Sequence, residues 1–148
     1  MSNKLAKLLF ILSVTILSAC TSSSVRTLIT IADARQSPAQ FVDIGEKGDS
    51  VGDILTFDQP LLDQQGAVIG NNSGSCVRTL VGERFQCQWT LTLPTGSIQV
   101  AGRESDKGSS SLSIVGGTGA YATITGEMLS TNNNDGTFTQ TLTYLLNK

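Results

Sequence analysis

Phe85-Gln86-Cys87-Gln88-Trp89-Thr90-Leu91-Thr92-Leu93 alternates without a break between apolar and polar side chains. Phe85, Cys87, Trp89, Leu91 and Leu93 share one side; Gln86, Gln88, Thr90 and Thr92 share the other. A period of two over this length marks a strand with one face in a core, because a helix would scatter the same residues around its axis. Thr137 to Leu146 repeats the pattern, with Phe138, Leu142, Tyr144 and Leu146 opposed to Thr137, Thr139, Thr141 and Thr143. Gln140 interrupts that apolar side and is expected to be an interior polar group. Six further stretches read as strands: Thr27–Ala34, Ile54–Leu62, Ala67–Val81, Ile98–Glu104, Ser109–Val115 and Ala120–Leu129. Breaks rich in Gly, Asp and Asn separate them, such as Asp63-Gln64-Gln65-Gly66 and Asn132-Asn133-Asn134-Asp135-Gly136. Pro94-Thr95-Gly96 reads as a tight connection. Eight strands with short connections favour an all-β, up-and-down antiparallel barrel, which leaves no open sheet edge. A two-sheet sandwich is the competing fold. Pro38 to Asp53 is the longest irregular segment, and Gly74 within Asn71–Ser75 reads as a kink or bulge.

The start of the chain carries a different signal. Lys4 and Lys7 precede the apolar run Leu8–Leu17, and Leu17-Ser18-Ala19-Cys20 closes it. A basic start, a short apolar middle and small residues before a cut form a secretory signal peptide. The run is shorter than the roughly 20 apolar residues that a membrane span needs. The Leu-Ser-Ala-Cys box resembles that of bacterial lipoproteins, which implies cleavage after residue 19 and lipidation of Cys20. Several acyl chains would then hold the protein on a membrane, each buried methylene contributing about 0.8 kcal/mol. The expected layout is a signal peptide over 1–19, a lipidated polar tether over 20–25 and one barrel domain over 26–148. Thr21 follows the cysteine where inner-membrane lipoproteins usually carry aspartate, so an outer-membrane location is expected if the source has two membranes. The processed chain keeps 129 of the 148 residues, enough for one domain with a real core. Loss of Lys4 and Lys7 from ten basic residues leaves eight against twelve acidic ones, a charge of −4 without a basic cluster. Nucleic acid is not expected as a partner, since phosphate binding needs concentrated Lys and Arg.

The chain has no histidine, which removes the usual base of a Ser-His-Asp site and the commonest zinc ligand. No metal and no cofactor are expected. Cys76 and Cys87 are an even pair in an oxidising compartment. A turn at Leu80-Val81-Gly82-Glu83 would set 76 opposite 87, and 78 opposite 85, on adjacent antiparallel strands. A structural disulfide is the preferred reading; a free nucleophilic thiol at Cys76 is the rival, and it lacks a partner base. The oxygen-rich run Asn132–Asp135 could hold Ca²⁺, but a hairpin turn explains it better.

Ile114-Val115-Gly116-Gly117-Thr118-Gly119-Ala120-Tyr121 packs three glycines between two strands, where positive backbone angles are expected. A phosphate-cradling loop would open a helix, and here a Thr-rich strand follows. This run resembles the signature of the allene oxide cyclase and dirigent barrel superfamily. Gly48–Phe57, Ser73–Arg78, Gly82–Phe85, Gly96–Gly102 and Gly126 fall in that family's order, and the resemblance covers roughly residues 26–146. It implies an eight-stranded antiparallel barrel, often a homotrimer, with an apolar cavity open at one end. It also implies control of ring closure or radical coupling in small apolar molecules. Counted back from Ser37-Pro38, Ile29 and Ile31 stand where plant cyclases of the family carry a glutamate and an asparagine on the first strand. Gln59 replaces another asparagine, Cys76 matches a cavity cysteine, and Asp33 and Asp58 are the stand-ins for dirigent aspartates.

The expected ligand-pocket residues are Phe57, Gln59, Arg78, Phe85, Trp89, Gln140 and Tyr144, with Arg78, Arg103, Glu104 and Gln140 as polar groups at the mouth. No catalytic residue is assigned. The functional expectation is a membrane-anchored barrel that binds a small apolar molecule. Cyclisation or isomerisation of that molecule is open, and the alternative is a structural or protein-interaction barrel with a filled interior.

Overall fold

The alternation of side chains runs through every long strand, and burying one face of a single sheet on itself makes the sheet close. The computed structural model describes residues 24–147. The signal peptide, Cys20 and most of the tether lie outside the described residues. The strands are β1 (Arg26–Asp33), β2 (Gln40–Val42), β3 (Ile54–Leu62), β4 (Val68–Leu80), β5 (Arg84–Leu93), β6 (Gly96–Ser105), β7 (Ser109–Gly117), β8 (Ile124–Asn132) and β9 (Thr137–Leu146). All pairings are antiparallel, in the order β1-β9-β8-β7-β6-β5-β4-β3-β2. β1 also pairs with β3, Ile31 opposite Leu62 and Ala32 opposite Leu61, which closes an eight-stranded barrel and rules out the sandwich. The short β2 continues the β3 edge where β1 has turned away, with Val42 opposite Ile54.

One pole of the barrel is packed solid. Leu61, Leu91, Ile98, Val100, Met128 and Leu142 are fully buried there, with Ile124 and Tyr144 beside them. Each such apolar side chain contributes about 1.5–3 kcal/mol relative to exposure. The glycine run belongs to this pole. Thr118 N–H donates to Ser97 O at 2.9 Å and Ala120 N–H to Thr95 O at 2.9 Å, so the turn docks on the β5–β6 hairpin. Of its three glycines only Gly119 has a positive φ, 58°; Gly116 and Gly117 stay in β7. That docking draws residues 119–121 into a 3-10 turn, so β8 starts at Ile124 instead of the expected Ala120.

Gly74 is neither kink nor bulge. It pairs with Phe57 on one side and Trp89 on the other, and a Cβ there would fall on the Trp89 backbone. The bare backbone lets the two aromatic rings meet edge to face, with centroids 5.9 Å apart. The register shifts of β4 lie elsewhere, opposite Leu61/Leu62 and at Arg78/Leu80.

Candidate functional site

The other pole is hollow. A cavity of about 450 Å³ occupies the half of the barrel built by the C-terminal ends of β1, β4, β6 and β8 and the starts of β3, β5 and β9. Small side chains make the space: Ala32 on β1 and Ala34 and Ala39 after it. Leu55, Phe57, Phe85, Trp89 and Phe138 give it apolar walls. The Trp89 indole Nε1–H is buried and has no acceptor among the described residues. An unpaired buried donor costs about 1–3 kcal/mol, which a bound acceptor would recover.

Polar groups enter at two places. At the floor Thr30 Oγ1 donates to Gln140 Oε1 at 3.1 Å, and Gln140 Nε2 donates to Asn72 Oδ1 at 3.4 Å. Gln59, opposite Asn72 in the β3–β4 ladder, is buried and lines the cavity beside them. Toward the mouth, one residue before the end of β6, stands Glu104, whose Oε1 accepts from Ser130 Oγ at 2.6 Å. Burial pushes its carboxyl above the ordinary glutamate range, and the Ser130 bond only partly opposes this.

Cys76 and Cys87 face each other across β4 and β5 as a disulfide, with Arg78 opposite Phe85, and both sulfurs line the cavity. The Glu104 carboxylate and the two sulfurs lie within 4.8 Å of one another. The joined sulfurs have no free thiolate to offer a metal.

Phe57, Gln59, Phe85, Trp89 and Gln140 all border the hollow. Arg78 and Tyr144 do not, and the ligand-pocket assignment for these two is corrected. Arg78 is spent on the rim: Nε donates to Asp49 Oδ1 at 2.7 Å, Nη1 to Asp106 at 2.6 and 2.8 Å, and the guanidinium lies 3.6 Å over the Phe85 ring. It ties the loop before β3 to the loop after β6 over the mouth. Tyr144 sits at the packed pole, edge to face with Tyr121, because three pleats separate it from the cavity residue Phe138 on β9. Arg103 points outward and is exposed.

The stand-ins suggested by family position also move. Asp33 is buried, but its carboxylate grips Arg35 at 2.8 and 2.9 Å and is absent from the cavity wall. Arg35 holds that carboxyl below the usual range. Asp58 is exposed on the outer face of β3. Ile29 and Ile31 lie on the outward side of β1, whose inward residues are Leu28, Thr30 and Ala32. At Asn132–Asp135 the Asp135 carboxylate accepts from the Thr137 N–H and hydroxyl, so this run is a hairpin turn.

Ser130, Asn72 and Phe138 complete the site without having been singled out as pocket residues, and Glu104, expected as a polar group at the mouth, lines the cavity with them. Parity could have found them. Glu104 shares a face with Ile98 and Val100, Ser130 with Met128, and Asn72 with Cys76.

No curated protein matches the chain. Among solved structures, a pyocyanin demethylase superposes with a TM-score of 0.71 at 24% identity, over 80% of this chain and 99% of that one. A pterocarpan synthase dirigent protein gives 0.68 at 18%, over 84% and 97%. A nonspecific heme-binding cyclase of a [4 + 2] cycloaddition in neoabyssomicin biosynthesis gives 0.67 at 17%, over 86% and 66%. These likenesses show a shared barrel. The family model described as allene oxide cyclase barrel like domain matches residues 29–141, and the chain belongs to that family.

Proposed function

We propose that this is a lipid-anchored envelope protein whose barrel binds a small, ring-containing, mainly apolar molecule and guides its cyclisation or isomerisation. One observation carries the reading: half of an otherwise well-packed barrel is an aromatic-walled hollow of about 450 Å³, within the size range of small-molecule sites. A purely structural barrel of eight strands has enough side-chain volume to fill its interior. Here Ala32, Ala34, Ala39 and Gly136 border the hollow, where larger residues would fill it. A reactant seated in the hollow would displace water from it and lie against aromatic rings, so catalysis would rest on positioning. The names of the similar structures support ring chemistry, because two of them concern a pterocarpan synthase and a [4 + 2] cycloaddition.

The anchor fits this layout. Arg26 pairs with Tyr144 at the packed pole, so β1 leaves that pole toward the tether. A lipidated Cys20 would therefore attach the barrel by its closed end and leave the mouth away from the bilayer. If the source has two membranes, the outer one is the proposed site.

Native mass spectrometry of the protein extracted from its own envelope tests the ligand. The reading expects a non-covalent adduct that denaturation removes; bare protein alone, under conditions that preserve other complexes, counts against it. Cys20→Ser should move the protein from the membrane to the soluble fraction, and unchanged membrane association would contradict the anchor.

A further inference from the structure

We propose that Glu104 is the cavity's proton donor, and that its ligand is a flat ring system carrying a weakly basic acceptor, such as a ring nitrogen or a carbonyl oxygen. This deepens the ligand-binding reading and rests on it.

The geometry is specific. On β1, where family resemblance places the cyclase acid, the inward side chains are Leu28, Thr30 and Ala32, none of them acidic. In the sheet order β6 lies four strands from β1 in either direction, so Glu104 brings a carboxyl into the hollow from the opposite wall. Around it stand Phe85, its cross-strand partner, the Cys76–Cys87 disulfide and Ser130. None of these carries a charge. Asp106, farther along the same strand end, also borders the cavity but is bound by Arg78, and Arg78 is taken up by Asp49 and Asp106. Among the described residues, no cation in the site is thus free to hold Glu104 ionised. Its burial favours the neutral acid, which is a hydrogen-bond donor where a carboxylate would only accept.

A ring lying against Phe57, Phe85 and Trp89 would present its edge to that acid. The proton passes from the Glu104 carboxyl oxygen to the ring nitrogen or carbonyl oxygen. The carboxylate left behind keeps the Ser130 O–H as a donor and gains the new N–H or O–H of the ligand. No electrons change hands, and the proton returns when the ligand or product leaves. Protonation of a carbonyl or ring nitrogen activates the conjugated system for ring closure or double-bond migration, which is the chemistry the cavity is proposed to guide.

Acridine is a suitable probe, because it is a flat tricycle with one ring nitrogen and its neutral and protonated forms emit at different wavelengths. Anthracene is the same shape without the nitrogen. At a pH where free acridine is neutral, the wild-type protein should bind it with acridinium-like emission, at least tenfold more tightly than anthracene. Glu104→Gln keeps the size and the Ser130 contact. It should still bind acridine, but with neutral emission, and should lose most of the preference over anthracene. Far-UV circular dichroism and anthracene affinity confirm that this variant is folded with its cavity intact. Neutral emission in the wild type, or equal behaviour of wild type and variant, overturns the role of Glu104 while leaving the cavity reading in place. Failure of both proteins to bind either tricycle overturns the ligand-binding reading and this proposal with it.

Discussion

Replacing both cysteines in Cys76→Ala/Cys87→Ala should lower stability by an amount that loop closure sets. The bridge spans 11 residues. With that loop length, cross-linking removes about 9 cal/mol/K from the unfolded chain, or about 2.8 kcal/mol at 25 °C. Both sulfurs border the existing hollow, so their removal enlarges a space already present and adds little cavity cost in the packed pole. Urea unfolding is the assay, followed by the fluorescence of Trp89, the chain's single tryptophan, which is 3% exposed in the folded state. With a urea slope of about 1.5 kcal/mol/M, the midpoint should fall by about 1.9 M. Wild-type protein treated with a phosphine reductant should fall by a similar amount. A midpoint unchanged by either treatment would refute the loop-closure reasoning. So would a reduced wild type that matches the oxidised protein while the double variant collapses, because the loss would then come from packing.

Gly74→Val should cost about 2–4 kcal/mol, from overpacking against the Trp89 backbone and loss of the Phe57–Trp89 contact, read as a lower urea midpoint and a red-shifted Trp89 emission. Glu104→Gln should change the pH dependence of stability. The folded-state pKa is raised, so between the unfolded and folded values the native state binds more protons, and wild-type stability falls as pH rises through that window. The variant lacks that fall, and its advantage over wild type should be absent in acid and present at neutral pH. Arg78→Met should cost about 1–2 kcal/mol, since Asp49 and Asp106 are partly exposed and recover solvation, and should speed amide exchange in residues 45–52 and 105–108.

The barrel was legible because its decisive signals are local. Period-two alternation in β5 and β9 and short Gly- and Asp-rich breaks give strand count and direction, and the Leu80–Glu83 turn gives the register that joins Cys76 to Cys87. Gln140 was legible for the same reason, as a polar residue on an apolar parity. What alternation cannot give is height along the barrel. Tyr144 and Phe138 share one face of β9, yet one plugs the packed pole and the other borders the cavity. Arg78 has the inward parity of Cys76, but two aspartates from distant loops capture it at the rim, and such contacts leave no mark in local sequence. Counting from Ser37-Pro38 matches Ile29 and Ile31 to the glutamate and asparagine of plant cyclases, but such a count does not fix the face of a strand, which a one-residue slip reverses, and the inward residues are Thr30 and Ala32. Glu104 reads in the sequence only as a polar group at the mouth, and closure of the sheet is what brings it to Ser130.

The hollow half of the barrel is tested most directly by titrating N-phenyl-1-naphthylamine, an uncharged ring probe, while following energy transfer from Trp89. Saturable one-to-one binding is expected in the wild type and its loss in Ala32→Phe, which fills the space from β1 while circular dichroism stays unchanged. Absence of saturable transfer in the wild type, or an undiminished signal in the filled variant, would contradict a ligand site inside the barrel.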